Sequence, residues 1–107
     1  MLPSRGALRT LRVIATGYTA GYESTGKNPG DPGYGLTRSG LPAAPGVCAT
    51  DLDVIPLGSV LYVPGYGYAV ALDTGDDIKE NRIDLFFQDR QKALVWGRRT
   101  VEVTVIR

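Results

Sequence analysis

Seven glycines and four prolines crowd the 26 residues from Gly21 to Gly46. Proline lacks a backbone donor and glycine loses the most conformational entropy on ordering, so neither a helix nor a central strand persists there. Regular structure must come from the flanks, and a loop this long in a small domain points to function. The whole chain has 107 residues, enough for one domain with a modest core. The expected organisation is a basic tail over residues 1–10 and a single domain over 11–107, with the loop 21–46 inside it.

The flanks read as β structure. Leu11–Thr19 (LRVIATGYT) is rich in β-branched and aromatic residues. After the loop come Val47–Thr50, then Val60–Val63 stopped by Pro64-Gly65, Gly67–Asp73 ended by Thr74-Gly75-Asp76-Asp77, Arg82–Phe87, and the alternating Thr100–Ile106. Val54–Gly58 reads as a bend around Pro56. Asp89 has the position of an N-cap for a short helix ending by Leu94 or Trp96, with Gly97 as its stop. The expected fold class is all-β: a small six-stranded barrel with one short helix near the C-terminus.

Composition narrows the chemistry. Twelve Lys and Arg against eleven Asp and Glu give a net charge of +1, without the basic excess of a nucleic-acid binder. No apolar run reaches the roughly 18 residues of a transmembrane helix, and no apolar segment of signal-peptide type follows Arg5, Arg9 and Arg12. The chain has no histidine, which removes imidazole bases and His-ligated zinc. The single Cys48 excludes an intrachain disulfide and reads as an inert buried thiol. Carboxylates, hydroxyls, Lys and Arg remain, and no cofactor or metal is expected.

Eight of the eleven acids are Asp, and six of those lie between Asp51 and Asp84. Strand ends and turns explain most of them, because an Asp side chain bonds nearby backbone N–H groups. Asp84 is different: it sits inside a strand run, where Asp is unfavourable. Alternation puts Ile83, Leu85 and Phe87 on one face and Arg82, Asp84 and Phe86 on the other. A carboxyl there is pushed up by Phe86 and any second Asp, and down by Arg82. Asp76, Asp77 and Glu80 read as a solvated turn, with an oxygen-rich cation pocket as the rival.

The run from Val47 to Val105 resembles the 3D (three-aspartate) domain family, a double-psi β-barrel, and is similar to the catalytic barrel of membrane-bound lytic transglycosylases of the A type. The resemblance is carried by Ala49-Thr50-Asp51, Val54-Ile55-Pro56-Leu57-Gly58, Gly65-Tyr66-Gly67, Asp73-Thr74-Gly75, Ile78-Lys79, Ile83-Asp84-Leu85-Phe86-Phe87 and Ala93-Leu94-Val95-Trp96-Gly97-Arg98. Upstream, Ala15–Ala20 resembles the family's first strand and Gly35–Gly40 its loop. Asp73-Thr74-Gly75 also matches the aspartic-protease signature, but only 32 residues follow Gly75, too few for the rest of that fold.

The resemblance implies cleavage of the MurNAc-GlcNAc bond of peptidoglycan glycan strands to 1,6-anhydromuramoyl ends, in the cell wall or outside a bacterial cell. It implies Asp84 as the acid/base, Asp73 as its carboxylate neighbour and Asp51 as the third acid. It places Thr37 near the site and Lys79 between the two acids in sequence. Tyr18 and Tyr34 border the loop and are candidates for stacking on sugar rings, whereas Trp96 reads as core. Two carboxyls brought close do not both ionise easily, so Asp73 and Asp84 are expected to retain a proton between them. The rival readings are a non-catalytic glycan-binding module of expansin type and a calcium-stabilised structural domain.

Overall fold

The computed structural model describes residues 8–21, 27–28, 30–33 and 35–107. Six strands form: β1 (Arg9–Tyr18), β2 (Val47–Thr50), β3 (Val60–Val63), β4 (Gly67–Asp73), β5 (Arg82–Phe86) and β6 (Arg99–Val105). One helix, α1 (Arg90–Trp96), lies between β5 and β6. The strand runs read from the sequence therefore all form, with ends moved by two residues at most. Of the tail expected over 1–10, residues 1–7 lie outside the described residues, and Arg9 and Thr10 already belong to β1.

The strands close into a barrel in the order β1-β5-β2-β4-β3-β6, with β6 pairing back onto β1. Two parallel pairs, β1 with β5 and β2 with β4, are joined by the antiparallel pairing of β2 with β5. This is the six-stranded double-psi barrel that the motif order implied. A barrel of six strands has a narrow interior, so small and branched side chains must fill it. Val13, Ala15, Cys48, Leu61, Val63, Ala69, Ala71, Ile83, Leu85 and Val103 do so, each almost fully buried. They come from alternate positions of their strands, as a period of two demands.

Two further segments add to the core. After β2 the chain bends and buries Ile55, whose carbonyl accepts from the Thr50 hydroxyl at 2.9 Å. At α1, the Asp89 carboxylate accepts from the Lys92 amide at 2.9 Å, and Gly97 stops the helix with φ of 69° while its N–H bonds Ala93. The helix brings Trp96 onto β1, where its indole donates to the Ala15 carbonyl at 3.1 Å. The Arg99 guanidinium covers the other face of the ring at 4.1 Å. Trp96 is thus core, as expected. No helix among the described residues is long and apolar enough to cross a membrane.

Candidate active site

The outer face of the barrel carries the acids. Cross-strand pairing sets Thr16 beside Asp84, Asp84 beside Ala49, and Ala49 beside Asp73, one row over β1, β5, β2 and β4. Asp73 reaches this row through an irregularity. The β2–β4 register slips between Cys48 and Ala49, so Cys48 faces Ala71 while Ala49 faces Asp73 in place of Leu72. Strict alternation would have given Asp73 the same inward side as Ala69 and Ala71. The bulge turns it out, a common use of bulges beside functional sites.

Three donors hold Asp73. Its Oδ1 accepts from the backbone N–H of Arg38 and of Thr74, both at 2.9 Å, and its Oδ2 accepts from the Tyr18 hydroxyl at 3.1 Å. Burial and the adjacent Asp73 push the Tyr18 phenol above its ordinary value, so it serves as a neutral donor. The Tyr18 ring stands edge-on to Phe86 at 5.5 Å. The Gly/Pro-rich loop supplies the Arg38 amide because Ser39 N–H bonds the Leu72 carbonyl at 3.0 Å and docks the loop on the end of β4.

Asp84 has a different environment. Its Oδ1 accepts from the Thr16 hydroxyl at 3.0 Å. Burial is the main influence and raises its carboxyl above the usual range. The negative charge of Asp73 adds a smaller push in the same direction, and Thr16 and Arg82 pull the other way. Among the described residues no hydrogen bond joins the two carboxyls; each has its own donors. Asp73 thus adds to the upward push on Asp84, as expected, but burial is the larger cause, since the row interposes Ala49 between the two acids.

Both carboxyls open into one cleft of about 400 Å³, floored by Ala49 and walled by Tyr18, Lys27, Leu36 and the segment from Thr74 to Ile78. The same segment is the wall of a second cleft of about 280 Å³, which holds Asp51, Asp53, Lys79 and Arg38. Asp51 lies in this second cleft and touches neither other acid. Its Oδ1 accepts from the Asp53 amide at 3.0 Å and its Oδ2 from the Glu80 amide at 2.7 Å. Those two bonds hold the Asp51 carboxyl below its ordinary value. Glu80 has a left-handed φ of 56°, so Asp51 clamps a constrained turn of the β4–β5 connection.

Lys79 lies beside Asp51 and lines the second cleft. Thr37 is buried and bonds its own loop, through Ser39 at 2.7 Å and the Leu41 carbonyl at 2.9 Å. Its neighbour Arg38 makes the contact to the acid. Tyr34 lies outside the described residues. Sequence reasoning gave no role to Thr16, Lys27, Leu36 or Ala49, which line or support the cleft. Thr16 was legible in principle, since alternation sets it on one face with Tyr18. Asp76, Asp77 and Glu80 form no group with metal-ligating geometry among the described residues. Cys48 is fully buried and its thiol is pushed up to about 12, chiefly by burial, which leaves it protonated and inert.

Comparisons with known proteins bear on the family and the fold. The putative cell wall shaping protein YabE of Bacillus subtilis is 41% identical over 92% of this chain and 23% of its own length. The cell wall-binding protein YocH of the same organism is 45% identical over 94% of this chain and 33% of its own length. The chain thus spans a quarter to a third of the length of these two curated relatives. The crystal structure of MltA from Escherichia coli, described as a lytic transglycosylase fold, superposes with a TM-score of 0.56 at 22% identity, over 67% of this chain and 27% of that one. At that identity the likeness is one of fold. The model of the 3D domain matches residues 46–107, and the chain belongs to the 3D domain family.

Proposed function

We propose that this barrel cleaves the MurNAc-GlcNAc bond of peptidoglycan glycan strands without water, with Asp84 as acid and then base. The carrying observation is the half-buried Asp84 carboxyl, raised chiefly by burial, sharing a cleft with Asp73, whose partners all donate to it. A group that must first give a proton has to hold one, and burial moves the Asp84 carboxyl in that direction. Asp84 protonates the glycosidic oxygen as the C1–O bond breaks. The C6 hydroxyl of the same sugar then attacks C1, and the Asp84 carboxylate takes the hydroxyl proton. The atoms balance with no water consumed, and Asp84 ends protonated again.

Asp73 faces the same space as an acceptor carboxylate, suited to stabilising positive charge at C1. Tyr18 and the Arg38 amide fix its orientation. The Thr16 hydroxyl does the same for Asp84. Asp51 acts at one remove by holding the loop that forms the wall. The fold shared with MltA and the names of the curated relatives support a site of action at the cell wall or outside the cell.

A second reading has its own support. YocH is named a cell wall-binding protein, so a barrel that binds glycan strands without cutting them is the alternative. Purified peptidoglycan incubated with the protein and analysed by mass spectrometry separates the two. Anhydromuramoyl products carry the first reading; retention on peptidoglycan with no new ends carries the second.

A further inference from the structure

We propose that the second cleft receives the peptide branch of the substrate, a zwitterionic ligand with free carboxylate and ammonium groups. This inference rests on the reading of the first cleft as the glycan site. The two clefts share the lining residues Thr74, Gly75, Asp76 and Ile78. A branch leaving a sugar ring in the first cleft therefore meets the second along that shared segment. The second cleft is lined by charged residues of both signs, among them Arg38, Lys79, Asp53 and Asp76. Asp51 adds a third carboxylate beside Lys79, with one backbone N–H bonded to each of its oxygens.

Among the described residues, neither the Arg38 guanidinium nor the Lys79 ammonium has a hydrogen-bonded or ion-paired partner, and the carboxylates of Asp53 and Asp76 have none either. Two cations and three carboxylates in a cleft of about 280 Å³ match an amino-acid-like end better than a neutral sugar. Arg38 also links the two spaces. Its side chain lines the second cleft while its backbone N–H holds Asp73 in the first at 2.9 Å. A peptide seated on the guanidinium thus steadies the loop that orients an acid of the glycan site.

The test compares peptide-bearing and peptide-free glycan strands as substrates of the full chain. Arg38→Ala and Lys79→Ala keep every backbone N–H, so the Asp73 bond survives. Lys79→Ala is expected to raise KM for the peptide-bearing strand about threefold with kcat and the peptide-free substrate unchanged; Arg38→Ala, whose backbone holds Asp73, is expected to lower kcat/KM for the peptide-bearing strand about threefold more than for the peptide-free strand. Equal effects on both substrates, or none on either, overturn the proposal. Binding is read separately by titrating a soluble tripeptide ending in a diamino acid into the Asp84→Asn variant and following amide shifts by NMR. Shifts at Arg38, Gly75 and Lys79 support the peptide site even if no strand is cut, which would sink only the catalytic reading. Cleavage with no such shifts overturns the peptide site and leaves the catalytic reading standing.

Discussion

Asp73 and Asp84 are neighbours of the same residue, one on each side of Ala49 in the row across β4, β2 and β5. Neither the loop nor the helix creates this relation; the barrel's strand order does, by inserting β2 between the two acid-bearing strands. The spacing gives the two carboxyls separate surroundings. Asp84 loses water and gains one hydroxyl, whereas Asp73 gathers three donors. Environments that differ in this way allow two like residues to take different roles in acid–base chemistry.

Replacing Asp84 by Asn should therefore move activity and stability in opposite directions. Cleavage falls by on the order of 10²–10⁴, the usual contribution of a positioned acid/base. The carboxyl is raised in the folded state, so its contribution to stability is full below its unfolded value of 3.8 and is lost as pH rises through the folded value. Asn carries no charge and escapes that loss. The variant should melt above the parent at neutral pH, and the advantage should vanish below about pH 3.8. Thermal melts across pH 3–8, as a chosen range, read this directly, and an unchanged difference at every pH would contradict the burial argument.

Asp51 has the reverse sign. Its carboxyl is lowered by the amides of Glu80 and Asp53, so its stabilising effect is present above 3.8 and disappears as pH falls through the folded value. An Asn offers one acceptor oxygen where two amides need one each, and its NH₂ would meet an N–H. Asp51→Asn should lower Tm at neutral pH and flatten the acid limb of the melting profile. Amide exchange at Glu80 should speed up, because the clamp on its left-handed turn is gone.

Much of this was legible in the chain, for identifiable reasons. Strands were readable because their interior residues alternate, and Asp89 and Gly97 mark helix ends by chemistry that acts within four residues. Asp84 stood out because a mid-strand carboxylate needs a reason. The bulge at Cys48/Ala49 was not readable, since it is a relation between two strands and leaves no local mark on either. Hence the sequence could not show that Asp73 takes the place of Leu72 beside Ala49. The role expected of Thr37 fell to the amide of Arg38 for a similar reason: a backbone donor has no residue type to reveal it.

The approach of α1 to β1 depends on Gly17. A Cβ added there would lie 2.8 and 2.9 Å from two carbons of the Phe87 ring and 3.3 Å from Ala93 Cα. The ring is held edge-on to Tyr66 and the helix by Trp96, so neither can retreat freely. Gly17→Ala should cost about 1–3 kcal/mol, as overpacking of a filled core does. Urea unfolding measures it, and a loss below roughly 0.5 kcal/mol would mean that the helix shifts without penalty.

The floor of the cleft offers a test of shape free of charge effects. Ala49 is 4% exposed and separates the two acids, so its methyl group sets how deeply a sugar ring descends between them. Valine suits a strand, and its two added carbons project into the cleft while leaving Asp73 and Asp84 on their own donors. Ala49→Val should weaken glycan binding by about tenfold or more, the factor for roughly 1.4 kcal/mol of steric conflict. Asp84→Asn, by contrast, should still bind strands with near-parent affinity, because it removes a charge and not the space. Pull-down on purified peptidoglycan at several protein concentrations compares the two variants. If valine at position 49 binds as well as the parent, the strand does not enter between the acids, and the placement of the reacting sugar over Asp84 is wrong.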